Sequence, residues 1–269
     1  MRDDVSVSCT RRLLVVSGAA LAVGLTACAT ALAPEVRQAL APTGTLRVAV
    51  YPGSPTSMVR SPDGEMRGLS VEIGRELARR IGVPVELVVL QRVAEVLEAL
   101  KSGRADFAIT NATPARAQDV DFVRPSLVSL ELGYLSLPGS PVQALDDVDR
   151  AGVRIGVSQG STTHATLPRE LKLARVVPAP SLQAAGQMLQ RREIDAFATN
   201  KAILYELGDS LPRARVLDGR WGLEHVAIAV PKGRGTAAIE YLSRFAESVR
   251  SDGLVRTASA RAGLRGLAE

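Results

Sequence analysis

Residues 100 to 111 read Leu-Lys-Ser-Gly-Arg-Ala-Asp-Phe-Ala-Ile-Thr-Asn, and residues 189 to 200 read Leu-Gln-Arg-Arg-Glu-Ile-Asp-Ala-Phe-Ala-Thr-Asn. Leu, Asp, Thr and Asn fall at the same offsets without a gap. Each copy has the form of a helix end, a tight turn, an Asp and a short apolar strand, with a polar pair where the strand stops. This places Thr110-Asn111 and Thr199-Asn200 at strand C-termini. Open α/β sheets bind ligands at the carboxyl ends of their strands, where backbone groups and helix N-termini converge. Two such units predict two lobes facing one site.

The pattern around each copy supports this reading. Leu46 to Val50 is a strand, and a loop rich in Pro, Gly and Ser follows, with a turn at Asp63-Gly64. Ser70 is the expected cap of a helix with Ile73, Leu77 and Ile81 on one face, stopped by Gly82 and Pro84. Val85 to Leu90 is expected to be a buried strand. Val93, Val96, Leu97 and Leu100 have helical spacing and end at Gly103. Pro114 suits the first turn of a short helix capped by Thr113, with Arg116 in that turn. After the strand Leu127 to Leu137, the order repeats: a strand at Val153 to Val157, a Gly-turn with Ser161 and Thr162 capping a helix, a strand at Arg175 to Val177, and a helix from Ser181 to Arg191. Val226 to Val230 is expected to cross back, and Gly235 to Glu269 to be helical.

The 269 residues suit two lobes of ordinary size. Hydrophobic residues make up 46% and charged residues 23%, the balance of a folded globular chain. The net charge of +5 brings no basic run interleaved with aromatics, so nucleic acid is not an expected partner. Arg11-Arg12 precede an apolar run from Leu13 to Ala27, which is short for a membrane span and has the layout of an export signal. Leu25-Thr-Ala-Cys28 matches a bacterial lipoprotein signal, with Cys28 lipidated; cleavage after Ala31-Leu32-Ala33 is the alternative. Residues 1–27 are therefore assigned to a signal peptide and 28–44 to a lipid-anchored or flexible tether. Cys9 and Cys28 are the only cysteines, which leaves the folded part without a disulfide, a thiol metal site or a Cys nucleophile. No metal or cofactor is expected.

Gly68-Leu-Ser-Val-Glu-Ile, Leu100-x-x-Gly-Arg-x-Asp, Thr113-Pro-Ala-Arg116 followed by Val120-Asp-Phe, Gly160-Ser-Thr and Ile194-Asp195-Ala together resemble bacterial extracellular solute-binding proteins of family 3, the amino-acid type that feeds ABC importers. The resemblance spans Gly44 to Gly263. It implies an α/β, two-lobed periplasmic-binding-protein fold of type II, each lobe a mixed sheet flanked by helices, with two hinge strands. Lobe 1 would comprise residues 45–131 and 225–269, and lobe 2 residues 132–224. It further implies a monomer that works outside the cytoplasm with an ABC permease and a separate ATPase, touching the membrane only through its lipid anchor.

The resemblance also implies roles for single residues. Arg116 would grip a ligand carboxylate, with polar contacts from Thr110, Asn111 and Thr113 in lobe 1 and from Ser161 and Thr162 in lobe 2. Two departures bear on the ligand. Family members usually carry an Asp at the position of Asn200, where it pairs with the ligand ammonium. Ser54 and Arg92 stand where aromatic rings are usual. Arg92 would then be a second cation in the cleft, and Trp221, Glu224 and His225 lie near the returning strand. The ligand expected on these grounds is a small organic anion or amino-acid-like solute, best a non-standard one with two acidic groups held by Arg116 and Arg92. A cyclohexadienyl-dehydratase-like enzyme on the same fold would need a cleft acid, for which Glu224 is the candidate. A ligand-free scaffold is the third possibility, and an enzyme is not the expected one.

Overall fold

A computed structural model describes Met1, residues 32–61 and residues 63–268. The signal and the Cys28 lipidation site lie outside the described residues, whereas the alternative cleavage point follows Ala33, just ahead of Pro34. In chain order the elements are α1 (Pro34–Leu40), β1 (Leu46–Val50), β2 (Val59–Arg60), β3 (Met66–Arg67), α2 (Leu69–Ile81), β4 (Val85–Val89), α3 (Val93–Lys101), β5 (Ala108–Asn111), β6 (Val120–Phe122) and β7 (Val128–Ser136). There follow β8 (Arg154–Ser158), α4 (Thr162–Glu170), β9 (Arg175–Ala179), α5 (Leu182–Gln190), β10 (Ala196–Asn200), α6 (Lys201–Asp209), β11 (Arg215–Val216), β12 (Gly222–Pro231), α7 (Thr236–Ser251) and α8 (Leu254–Arg261).

The two halves share one plan. β1 pairs with β4 in parallel, and Val48 bridges to Phe107 just ahead of β5. β8 pairs in parallel with both β9 and β10. The long strands β7 and β12 are antiparallel and connect the halves. β12 pairs with β7 through residues 222–226 and with β5 through 226–229. β7 pairs with β12 through residues 128–132 and with β10 through 132–136. They are the two hinge strands of a two-lobed α/β fold.

The repeated Asp has the same task in both copies. Asp106 accepts from the backbone N–H of Arg47 at 3.1 Å, from its Nε at 2.8 Å and from its Nη2 at 2.9 Å. Asp195 accepts from the backbone N–H, Nε and Nη2 of Arg154 at 2.8, 3.1 and 2.8 Å. Each carboxylate ties the start of the third strand of its lobe to the start of the first. The bidentate fork gives these bonds their geometry.

Three expectations need correction, and one helix is added. Pro34–Leu40 is a helix rather than a tether. Its Val36 and Leu40 are buried in the core, and Arg234 Nη1 donates to the Ala39 carbonyl at 2.5 Å. Ser70 is not the cap of α2, because Gly68 holds that place; Ser70 is buried, its hydroxyl donating to the Thr56 carbonyl at 3.1 Å and accepting from Ile109 N–H at 3.2 Å. At Gly68, φ is +151° and a Cβ would stand 2.1 Å from the Ser57 carbonyl oxygen, so only glycine fits. The strand from Val85 is an edge, with Val85 37% and Val89 54% exposed. Helix α6, unread in the sequence, begins directly after the second copy of the repeat.

Candidate functional site

A cleft between the lobes is lined by the residues that end the strands. Tyr51 follows β1; Thr110 and Asn111 end β5; Ser158 ends β8; Thr199 and Asn200 end β10. Across it, Asn111 Nδ2 donates to Thr162 Oγ1 at 3.2 Å, a direct bond between the lobes. At the rim, Gly160 meets Ala94 so closely that a Cβ on the glycine would lie 2.6 Å from the alanine methyl.

Arg116 is the buried cation of this cleft, 9% exposed. The Thr113 hydroxyl accepts from its backbone N–H at 3.3 Å and fixes the turn. Its Nη1 donates to Thr110 Oγ1 at 3.0 Å and to the Asn111 carbonyl at 3.2 Å. The remaining edge of the guanidinium, Nε and Nη2, makes no hydrogen bond among the described residues. Burial draws the Arg116 pKa below its ordinary value, and Glu224 and Tyr51 pull it back.

Opposite stands the first turn of α4. Ser161 Oγ accepts from His164 N–H at 3.1 Å, closing the cap, while the N–H groups of Thr162 and Thr163 have no acceptor among the described residues. Such donors, with the helix dipole behind them, attract an anion. The start of α2 differs, since its first amides already donate to the Pro55 and Thr56 carbonyls at 3.0 Å.

The absence of an Asp at position 200 does not leave the cleft without negative charge. Glu224, on β12, is 8% exposed and lines the cleft beside Asn200, whose Nδ2 donates to Glu224 Oε1 at 2.7 Å. Asn200 Oδ1 accepts from Ile203 N–H at 3.1 Å and caps α6. Burial pushes the Glu224 carboxyl up to about 7, against the opposing pull of Arg116 and the Asn200 bond. Burial likewise pushes the Tyr51 hydroxyl up to about 12.

Arg116, Thr110, Asn111, Ser161, Thr162, Asn200, Arg92 and Glu224 are thus brought together around one cleft. Ser54, Thr113 and His225 do not line it. Ser54 is fully buried and bonded to Thr56 Oγ1 at 2.9 Å; Thr113 acts on the Arg116 backbone; His225 is exposed, its Nδ1 2.8 Å from Ser129 Oγ. His225 follows Glu224 on a strand, so alternation turns it to the opposite face. Trp221 packs on Tyr134 at a ring distance of 6.2 Å and donates to the Gly133 carbonyl, away from the cleft. Arg92 reaches the cleft, but its Nη1 is paired with Glu95 at 3.4 Å, and its Nε is buried without a partner. Tyr51 and Ser158 were missed from sequence, although both sit at strand C-termini and the rule that found Asn111 and Asn200 covers them.

Among the described residues no group of His, Cys, Asp and Glu is arranged to hold a metal, and no helix is long and apolar enough to cross a membrane. The family model of the bacterial extracellular solute-binding proteins, family 3, matches residues 46–261. The chain is similar to the ABC transporter glutamine-binding protein GlnH of Bacillus subtilis, with 26% identity over 196 residues covering 71% of this chain and 70% of the relative. It is equally similar to an L-arginine-binding protein of Pseudomonas aeruginosa, 26% identical over 226 residues, 77% and 83% of the two chains. Among solved structures, a solute receptor for L-cysteine of Neisseria gonorrhoeae superposes with a TM-score of 0.75 at 24% identity, covering 87% of this chain and 99% of the other. The ancestral amino-acid-binding protein AncCDT-1, a precursor of cyclohexadienyl dehydratase, superposes with a TM-score of 0.72 at 19% identity, covering 84% and 98%. The repeated strand ends, the hinge strands and the family match over residues 46–261 lead to one conclusion: the chain belongs to the bacterial extracellular solute-binding proteins, family 3.

Proposed function

We propose that this protein is the extracytoplasmic solute-binding component of an ABC importer and captures a small carboxylate-bearing solute between its lobes by hinge closure. The observation that carries the reading is Arg116: buried in the cleft, held by Thr110 and the Asn111 carbonyl, with one edge of its fork unused. A planar fork matches a carboxylate, and hydrogen bonds to charged groups contribute about 1.5 to 3 kcal/mol each. The free amides of Thr162 and Thr163 would meet the same carboxylate from the second lobe. The Asn111–Thr162 bond and the Gly160–Ala94 contact are the interactions that closure would make and opening would break. Glutamine- and arginine-binding relatives are consistent with a ligand of this size and charge.

The further partners of this reading are a permease and an ATPase on separate chains. The protein would act as a monomer on the outer side of the cytoplasmic membrane, anchored through a lipid on Cys28. A thermal-shift panel of small carboxylates and amino acids on residues 32–269 tests it. A ligand of the native state at 100 times its Kd adds about 2.7 kcal/mol, which for a domain of this size raises Tm by about 5 to 10 °C. A panel that moves Tm nowhere would overturn the reading.

Glu224 supports a second reading. A buried carboxyl pushed up to about 7 has the properties of an acid catalyst, and the resemblance to a dehydratase precursor gives that chemistry a precedent on this fold. Turnover of prephenate by the purified protein would establish it in place of transport.

A further inference from the structure

We propose that Lys201 and the segment after α8, residues 264–268, form a clasp behind the hinge that fixes the start of α6 and thereby holds Asn200 in the cleft. The inference concerns how the cleft is built and is independent of which solute fills it.

Lys201 is an unexpected residue at its position. It opens α6 directly after Asn200, where a cation opposes the helix dipole, and it is only 8% exposed, where a charge is costly. Three contacts account for its place. Its Nζ donates to Glu131 Oε2, on hinge strand β7, at 2.7 Å. Its stem lies along Gly133 of the same strand, where a Cβ would stand 3.2 Å from both Cγ and Cε of the lysine. Its backbone is met from the other side by Gly266, where a Cβ would stand 2.4 Å from Lys201 Cβ and 3.3 Å from its Cα and carbonyl carbon. Lys201 is thus enclosed between two glycines and tied to a carboxylate, which fixes the residue that follows Asn200.

The segment that brings Gly266 there starts in the other lobe. Leu264 is buried in the core around β1 and α2, and its N–H donates to the Ser259 carbonyl at 2.9 Å. Beyond it the chain runs antiparallel to β7: Glu131 N–H donates to the Gly266 carbonyl, and Ala268 N–H to the Ser129 carbonyl, both at 2.9 Å, with Leu267 opposite Leu130. β10 ends on this same edge of β7, with Asn200 opposite Leu132, because β12 occupies the other. The end of β10 and the returning segment therefore meet along one strand, with Lys201 at the junction. Arg265 adds a second hold farther along α6. Its Nη1 donates to Asp209 Oδ1 at 3.3 Å, and its guanidinium lies 4.8 Å from the centre of the Tyr205 ring. Tyr205 and Asp209 are four residues apart and share a helix face. Behind the cleft, lobe 1 is thus joined to lobe 2 by a third, non-covalent connection besides β7 and β12. The start of α6 cannot shift without displacing this segment, and Asn200, which caps α6 through Ile203 N–H and donates to Glu224, shifts with it.

Amide hydrogen exchange on residues 32–269 tests this, with Gly266→Ala compared against Gly263→Ala. Both glycines have positive φ, +73° and +65°, so both alanines carry backbone strain, but a Cβ at Gly263 meets nothing within 4 Å. Urea denaturation is expected to show similar losses of stability in the two. The Ile203 amide, which Asn200 holds, should exchange at least about 10-fold faster in Gly266→Ala and stay within about 2-fold of wild type in Gly263→Ala. A chain stopped after Leu264 keeps the buried anchor and removes the clasp; its Ile203 amide should be accelerated as well, which decides the matter if Gly266→Ala does not fold. An Ile203 amide unchanged in the stopped chain, or accelerated equally by both alanines, would overturn the inference.

Discussion

Replacing Asp106 with alanine is expected to lower stability by about 3 to 5 kcal/mol, the cost of breaking a buried ion pair by removing one partner. The Asp106 side chain is fully buried and serves two cations: Arg47 through Nε and Nη2, and Arg234 through Nη2 at 2.7 Å. Arg47 and Arg234 are themselves only 19% and 11% exposed, so neither is rescued by solvent. The Arg47 pKa is raised first of all by its hydrogen bond to Asp106, against desolvation. The change also frees Arg234, which holds the end of α1 through the Ala39 carbonyl. Asp195→Ala removes the matching contact in the other lobe, where Arg154 is 38% exposed and water can replace the lost partner. The smaller cost there is about 1 to 3 kcal/mol, chiefly from the orphaned Arg154 N–H. Urea denaturation of the two variants measures the difference; equal effects would mean that the repeat's Asp does not act through burial.

The pH dependence of the ligand-free protein should carry the mark of Glu224. Its carboxyl titrates at about 7 in the fold against an ordinary 4.5, with desolvation as the main cause. A raised carboxyl pKa favours the protonated folded state, so this group's contribution is fully present below about pH 4.5 and is lost as pH rises through 7. The span corresponds to about 3 kcal/mol at 1.36 kcal/mol per pH unit. Glu224→Gln keeps the shape and removes the titration, so its stability should match wild type near pH 4.5 and exceed it at pH 8. Arg116, Tyr51 and Asn200 face the carboxyl; the arginine keeps its charge across this window and the tyrosine stays neutral, so neither supplies the slope. Denaturation midpoints at pH 5 and pH 8 decide the matter: wild-type and Glu224→Gln profiles with the same slope would show that Glu224 titrates normally.

What could be read from the sequence was governed by period and by chain order. The offsets shared by residues 100–111 and 189–200 placed Asn111 and Asn200 at strand ends, where the structure has them. Helical spacing found α3, and the stretch read as helical from Gly235 holds α7, whose Leu242, Phe245 and Val249 are buried. The errors came from tertiary contacts that no local pattern encodes. Val85 and Val89 have the composition of a buried strand, yet β4 has a single partner and lies at an edge. Ser70 has the chemistry of a cap, but Thr56 and Ile109 claim its hydroxyl from distant parts of the chain. Ala33 to Leu40 looked like a tether because Ala and Pro are common in linkers, while the anchor that orders it, Arg234, is 195 residues from Ala39. The site followed the same division. Arg116 and Thr162 could be placed through motif and capping pattern, whereas the partnership of Asn200 with Glu224 spans 24 residues and two elements, and becomes visible only when the hinge strand returns.

The central claim is that a carboxylate-bearing solute is gripped in the cleft by Arg116, and calorimetric titration of the strongest binder of the thermal-shift panel against wild type and Arg116→Ala tests it most directly. Removing the partner of a buried charged hydrogen-bond pair costs about 2 to 5 kcal/mol, so the variant should bind at least about 30-fold more weakly. Its fold should be retained, because the guanidinium is itself a desolvated charge whose removal relieves the cost of its burial. Wild-type affinity in a folded Arg116→Ala protein would contradict the account.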